Sequence, residues 1–241
     1  NQTQYTQPNV FVVKSLSYFR FFEERGTPDI VLGHSLGEFN ALLAAEVFDF
    51  ETGLNIVKKR GELMGEVENG GMAAIIGLSL EEVSSILHEK YPELDIANIN
   101  AHNQIVISGP KKFIQEAQET FEDEYAGYVI LKVRGAFHSR YIKPVQNKFS
   151  NFLKYFNFSK PKIEVISNIE ACPYSQENIT YILESQLSSP VLWKDSIEYL
   201  LDNYKCDFIP LGRGKVLTNL LEKIQKQFKL QNNYSQMNLL F

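Results

Sequence analysis

The chain has 241 residues, 44% hydrophobic and 22% charged, with a net charge of -5. That is ordinary globular composition, long enough for one large domain or a core domain carrying an insert. An acidic balance without a long basic block argues against nucleic acid as a partner. No apolar run approaches the ~20 residues of a membrane span, and no signal peptide is visible. The two cysteines, Cys172 and Cys206, have no Cys-x-x-Cys partners. No metal site is therefore expected, and a reduced, cytoplasmic setting is the default reading.

Asn1–Pro8 is polar, and Val10–Phe22 has a helix pattern carrying Phe11, Val12, Leu16, Phe19 and Phe22. An α/β domain usually begins with a central strand, so a preceding N-terminal piece is expected. A strand follows at Asp29–Leu32, then Gly33-His34-Ser35-Leu36-Gly37-Glu38, then a helix to Val47 with Phe39, Leu42, Leu43 and Val47 on one face. This is the nucleophile-elbow arrangement, with Ser35 on the turn. The flanking glycines are expected to let strand and helix crowd together, with the helix N–H groups aimed at any developing anion. Thr52–Glu66 reads as a helix, with Asp49 or Thr52 as its cap.

Gly70-Gly71 marks a boundary. Beyond it the pattern gives a strand at Met72–Ile76, a helix at Ser79–Lys90 and strands at Asp95–Asn100 and Gln104–Ser108. A helix at Pro110–Tyr125 and a strand at Tyr128–Val133 follow. The order β-α-β-β-α-β is ferredoxin-like. The expected architecture is therefore α/β, with residues 71–134 as a small subdomain inserted into a large one formed by 1–70 and 135–241. In the large part, helices are expected at Lys143–Phe156, Tyr174–Gln186, Lys194–Asn203 and Lys215–Phe228. Strands are expected at Glu164–Ser167 and, buried, at Cys206–Pro210. Gly212-Arg213-Gly214-Lys215 is a strand-to-helix turn rather than a phosphate loop, because Val216 stands where Ser or Thr is needed. The Asn- and Gln-rich tail, Leu230–Phe241, reads as disordered or a docking segment.

A serine nucleophile needs a base. Of the four histidines, His88 falls on a solvated helix face and His102 in a turn between strands, while His34 packs beside the site. His138 follows Gly135 on the chain's return to the large part, and is the best candidate. No acid sits in a telling context, so a backbone carbonyl can orient the imidazole instead. Lys58, Lys59 and Arg60 are either a solvated helix face or, if Arg60 turns inward, a two-point holder for a substrate carboxylate.

Several motifs together carry a resemblance. They run from Gln4-Tyr5-Thr6-Gln7-Pro8 through the Ser35 elbow, Arg60-Gly61, Gly71-Met72-Ala73-Ala74-Ile75 and Asn103-Gln104-Ile105-Val106-Ile107-Ser108-Gly109. Phe137-His138-Ser139, Gln186, Pro190-Val191-x-Trp193 and Gly214-Lys215-Val216-Leu217 complete the series. The chain resembles the malonyl-CoA:acyl-carrier-protein transacylases and the acyltransferase domains of polyketide and fatty-acid synthases, whose large subdomain is α/β-hydrolase-like. The resemblance implies Ser35 as the acylated nucleophile and His138 as base and then acid. It implies the Gln186 carbonyl as acceptor for the imidazole, and the Leu36 N–H as one oxyanion donor. The other donor, on a glycine- and glutamine-containing turn, would precede Asn1. Arg60 would bind the malonyl carboxylate, with Gln104, Asn98, Asn100, His34 and Met64 around the acyl group. Phe137 would exclude an α-methyl branch. Proline is usual where Arg213 stands. The implied partners are malonyl-CoA and an acyl carrier protein bearing a phosphopantetheine arm. No bound cofactor is implied, and the protein would act as a monomer or as part of a larger synthase. Arg134, Arg140 and Lys143 are candidates for docking the acidic carrier. The alternatives are an acyl hydrolase of the same fold and a non-catalytic scaffold.

Overall fold

The computed structural model describes residues 3–212 and 214–237, with side chains described up to residue 230. The chain opens with helix α1 (Thr3–Arg25), which starts earlier than the apolar pattern suggested and contains Pro8. Pro8 stands in the second turn of the helix, where it supplies no backbone N–H. Strand β1 (Ile30–Val31) leads through the Gly33 turn into α2 (Gly37–Ala44). Helix α3 (Phe50–Gly65) follows, capped by Asp49, whose carboxylate accepts from the Thr52 N–H at 2.8 Å. Strand β1 pairs in parallel with β6 (Glu164–Val165). Around them pack α6 (Lys143–Leu153), α7 (Ile179–Ser185), α8 (Trp193–Asn203) and α9 (Val216–Met237). Phe11, Phe39, Leu42, Ile56, Phe149 and Ile182 fill this core.

Between them the chain builds a second layer pair with its own core of Ile75, Ile105, Ile107, Ile114 and Phe121. Its elements are β2 (Gly70–Ile76), α4 (Leu80–Lys90), β3 (Asp95–Ala101), β4 (Gln104–Pro110), α5 (Lys111–Asp123) and β5 (Gly127–Ile130). The sheet order is β3-β4-β2-β5, antiparallel throughout. That is the ferredoxin-like order expected from the sequence. A capping box between Ser79 and Glu82 starts α4. The edge strand β3 is also tied to the large core. Ile99 donates its N–H to the Val191 carbonyl and Val191 donates to that of Ala97, each at 2.9 Å.

One expectation fails in the large part. Cys206–Pro210 forms no strand, and all of it except the half-buried Phe208 is exposed. Among the described residues no strand lies beside it to take up its backbone groups, so a β-prone composition alone does not make a ladder. The tail is not uniformly irregular, because α9 runs on to Met237; Asn238–Phe241 and Arg213 lie outside the described residues. No helix of the described residues is long and apolar enough to cross a membrane. Cys172 and Cys206 are free thiols.

Candidate active site

The elbow forms because the chain turns within four residues. Gly37 donates to the His34 carbonyl at 2.9 Å and Glu38 to that of Ser35 at 3.1 Å. A Cβ at Gly33 would lie 2.1 Å from the Gly37 carbonyl, so only glycine closes this turn. Gly37 itself is different: a Cβ there would meet nothing within 4 Å, which corrects the symmetrical role expected for the two glycines. Ser35 is held in the left-handed region, φ 50°, which costs a non-glycine residue about 1 kcal/mol or more. Asn168 holds it there. Its side-chain oxygen accepts the Ser35 N–H at 2.7 Å, and its nitrogen donates to the Gly33 carbonyl at 2.7 Å.

His138, also left-handed at φ 58°, lies on the segment after β5 and is buried. Its Nε2 is 2.8 Å from Ser35 Oγ, and its Nδ1 is 2.8 Å from the Gln186 carbonyl oxygen. A carbonyl can only accept, so Nδ1 carries the proton and Nε2 is free to take one from the serine. Burial, with the Arg60 guanidinium beside it, pushes the imidazole down to about 3. The ring is therefore neutral at physiological pH and ready as a base.

Arg60 is not part of the solvated face with Lys58; it is 1% exposed and turned inward. Its Nη2 donates to Ser35 Oγ at 3.2 Å and to Gln186 Oε1 at 2.8 Å, and Nη1 donates to Gln7 Oε1 at 2.7 Å. Burial lowers its pKa to about 10, so it stays charged. Gln7 donates in turn to the sulfur of the buried Met64 at 3.3 Å. The result is a serine hydroxyl, a neutral imidazole and a desolvated cation around one point. That arrangement can form an ester at Oγ and hold a carboxylate a few bonds away.

The other expected residues divide. His34 Nε2 lies 2.8 Å from Asn100 Oδ1, and its ring meets Trp193 at 5.4 Å, so both stand at the wall beside Ser35. Asn98 and Asn100 are buried. Phe137 packs between the large core and the β2–β4 face, and a Cβ on Gly135 would meet its ring at 2.4 Å. The Leu36 N–H has no acceptor among the described residues and begins α2. Gln104 is placed differently from expectation. Its oxygen accepts from Lys223 Nζ at 3.0 Å, and none of its hydrogen bonds reaches Ser35, His138 or Arg60. Its register at the start of β4 turns the carboxamide to α9. Of the other histidines, His102 pairs with Glu198 at 2.9 Å and His88 is exposed. Four residues of the site were given no role from the sequence: Gln7, Glu38, Asn168 and Tyr174. Glu38 shares an inward face with Leu42 four positions on, a spacing that points it into the core.

A cavity of about 330 Å³ opens at His138, with Ser139, Arg140, Lys143 and Pro190 on its wall. A larger one, about 520 Å³, lies near His102, Lys194 and Glu198 and contains none of the dyad or Arg60. Of Ser35, His138 and Arg60, the smaller touches His138 alone. No cluster of three or more His, Cys, Asp or Glu side chains that could hold a metal occurs among the described residues.

Residues 1–239 match the acyl transferase domain family. The chain is a member of that family. This acyl transferase domain is 50% identical over 230 residues to the polyketide biosynthesis malonyl CoA-acyl carrier protein transacylase PksC of Bacillus subtilis, covering 94% of the chain and 80% of the relative. It is 48% identical over 231 residues to the polyketide biosynthesis protein PksE of the same organism, again over 94% of the chain but only 30% of that relative's length. The malonyl CoA-acyl carrier protein transacylase of Burkholderia pseudomallei has the same fold, with a TM-score of 0.91 and 44% identity, over 94% of this chain and 80% of that one. The two-subdomain α/β architecture is that of these acyltransferases.

Proposed function

We propose that this acyl transferase domain moves a malonyl group from malonyl-CoA, through an ester on Ser35, to the phosphopantetheine thiol of an acyl carrier protein. One observation carries the reading: a buried guanidinium whose Nη2 lies 3.2 Å from the hydroxyl that the dyad activates. The cation suits an acyl group ending in a carboxylate, and the charge is desolvated, so its bond to that carboxylate is a strong one.

In the first half-reaction the Ser35 hydroxyl gives its proton to His138 Nε2 as Oγ bonds to the thioester carbon. The carbonyl electrons move to oxygen, which the Leu36 N–H and the start of α2 stabilise; one such donor is worth about 10²–10³ in rate. The C–S bond then breaks, and the coenzyme A sulfur leaves with the proton from Nε2. In the second half the carrier thiol gives its proton to Nε2 and its sulfur attacks the ester carbon. Ser35 Oγ leaves and recovers the proton. Gln186 holds the imidazole through its carbonyl, which replaces the acid of a triad.

Residues 71–134 form the small subdomain in this reading, and 1–70 with 135–241 the large one. His34, Asn100, Met64 and Phe137 shape the acyl pocket. The ring of Phe137 disfavours an α-methyl branch, making malonyl the preferred diacid. No bound cofactor is needed. Lys143, exposed at the cavity, is the better docking cation for an acidic carrier, because Arg140 is already paired with Asp95. Exposed Arg134 is the second. The reaction belongs in the cytoplasm, by a protein acting alone or within a longer synthase. A hydrolase that strips varied acyl chains has no use for a carboxylate clamp, and a scaffold has none for a bonded Ser–His dyad.

The test is intact-protein mass spectrometry after exposure to malonyl-CoA, methylmalonyl-CoA and acetyl-CoA, followed by a phosphopantetheinylated carrier protein. The expected result is a malonyl adduct on Ser35 that passes to the carrier. No adduct with malonyl-CoA, or an adduct lost to water and not to the carrier, refutes the reading.

A further inference from the structure

The site contains a carboxylate that the mechanism does not use. Glu38, in the first turn of α2, is fully buried. Its Oε1 accepts from the Asn168 N–H and from the Tyr174 hydroxyl, each at 2.8 Å. Its Oε2 accepts from Gln186 Nε2 in a short contact. A charge is costly in such a place unless it is paired and fully bonded. Burial raises its carboxyl to about 7, while three converging donors and the Arg60 cation favour the ionised form.

The Gln186 side chain is the link. Its nitrogen donates to Glu38 and, at 2.9 Å, to the Ser35 carbonyl, while its oxygen accepts from Arg60 Nη2 at 2.8 Å. A carboxamide has one donor end and one acceptor end, and a carboxylate can only accept. Glu38 and the Ser35 carbonyl both accept and Arg60 only donates, so the nitrogen faces the first two and the oxygen faces Arg60. We propose that Glu38 is a positioning residue: by bracing the Gln186 amide with its oxygen against Arg60, it aims the guanidinium at the Ser35 hydroxyl and thereby sets selection for a substrate carboxylate. The inference rests on the reading of Arg60 as the carboxylate clamp.

Glu38→Gln removes the charge at nearly constant shape. A neutral carboxamide must turn a donor either to Gln186 Nε2 or to the Asn168 N–H, so the bond that braces Gln186 is weakened while the Ser35 carbonyl still holds its nitrogen. The Gln186 oxygen is then held less firmly against Arg60, and the guanidinium loses its fixed aim. Acylation of Ser35 by malonyl-CoA and by acetyl-CoA is measured in the full chain, at equal folded fraction verified by circular dichroism. The expected result is a malonyl kcat/KM reduced at least tenfold, mainly through KM, with the acetyl value reduced at least fivefold less. A purely structural defect lowers both alike. Equal losses for the two substrates, or no loss, overturn the proposal.

If Glu38→Gln does not fold, Gln186→Met addresses the same bond from the other side. It keeps the volume and the backbone carbonyl that serves His138, and it must give the same malonyl-over-acetyl split; an unchanged split overturns the proposal. The wild-type protein separates the two levels. A wild type without preference for malonyl sinks the clamp reading itself, whereas a normal wild type with an unselective effect in the variants sinks only the role of Glu38.

Discussion

Replacing Arg60 by alanine is the most informative single change. Without substrate the guanidinium is bonded to Gln7, Gln186 and Ser35, and the side chain lies 5.3 Å from the centroid of the Phe39 ring. A malonyl carboxylate entering the pocket gains at least two charge-assisted hydrogen bonds, each worth about 1.5–3 kcal/mol. Their loss is therefore ~3–6 kcal/mol, or ~10²–10⁴ in kcat/KM for malonyl-CoA. Acetyl-CoA has no carboxylate to lose. The guanidinium is also one of the causes that hold the His138 imidazole low, so its removal makes that imidazole a stronger base. Acetyl transfer should therefore stay level or rise. The variant also leaves two glutamine oxygens, Gln7 Oε1 and Gln186 Oε1, without the Arg60 donors, at about 1–3 kcal/mol of stability each. The assay is acylation rate by quenched-flow mass spectrometry with each thioester, well below the unfolding transition and normalised to the folded fraction. A malonyl-to-acetyl ratio equal to that of the wild type would refute the reasoning, however much both rates fell.

His138→Ala should lower acylation by about 10²–10⁴, read in the same assay. The exchange also has a pH signature. The folded His138 pKa lies near 3, below its ordinary 6.5, so its contribution to stability is present above 6.5 and is lost as pH falls towards 3. Burial raises Glu38 from 4.5 to about 7, so its contribution has the opposite sign: it is full below 4.5 and is lost as pH rises through 7. The two slopes cancel between pH 4.5 and 6.5. Removing the imidazole leaves Glu38 unopposed, and the stability of His138→Ala relative to wild type, from urea unfolding, should fall with rising pH across that window by up to about 1.4 kcal/mol per unit. A flat difference would contradict the lowered pKa of His138. Asn168→Ala takes both clamps off the elbow and should cost about 1–3 kcal/mol together with acylation rate; calorimetry showing an unchanged Tm would remove Asn168 from this role. Phe137→Ala should raise acylation by methylmalonyl-CoA relative to malonyl-CoA, and competition between the two thioesters measures it.

The elbow and the small sheet were legible because each rests on local order. A strand, a glycine-flanked serine and a helix follow one another within the run from Ile30 to Ala44, and the ferredoxin-like pattern shows its alternating periods in sequence. The His138 role needed the resemblance as well as its position on the returning loop. What escaped was the polar lattice behind the dyad. Glu38 meets Asn168, Tyr174 and Gln186 across 130, 136 and 148 residues of chain. No periodicity or propensity encodes a hydrogen bond at such separations, because the partners meet only after the core has formed. Gln7 had no role assigned for another reason: Asn1–Pro8 is polar and the helix pattern was read only from Val10, although α1 runs through Gln7 and Pro8. Cys206–Pro210 shows the reverse error, a strand-like composition with no strand alongside.

Ser35 and His138 share the left-handed backbone, at φ 50° and 58°. Glycine would sit in either place with about 1 kcal/mol less backbone strain, although Ser35→Gly also takes away the hydroxyl bonded to His138 and Arg60 and cannot form an ester. The two residues of the proposed dyad are thus among the six described non-glycine residues at which glycine would relieve backbone strain. A descendant released from its chemistry could become firmer as it fell silent, so a high melting temperature in such a chain is no testimony to activity.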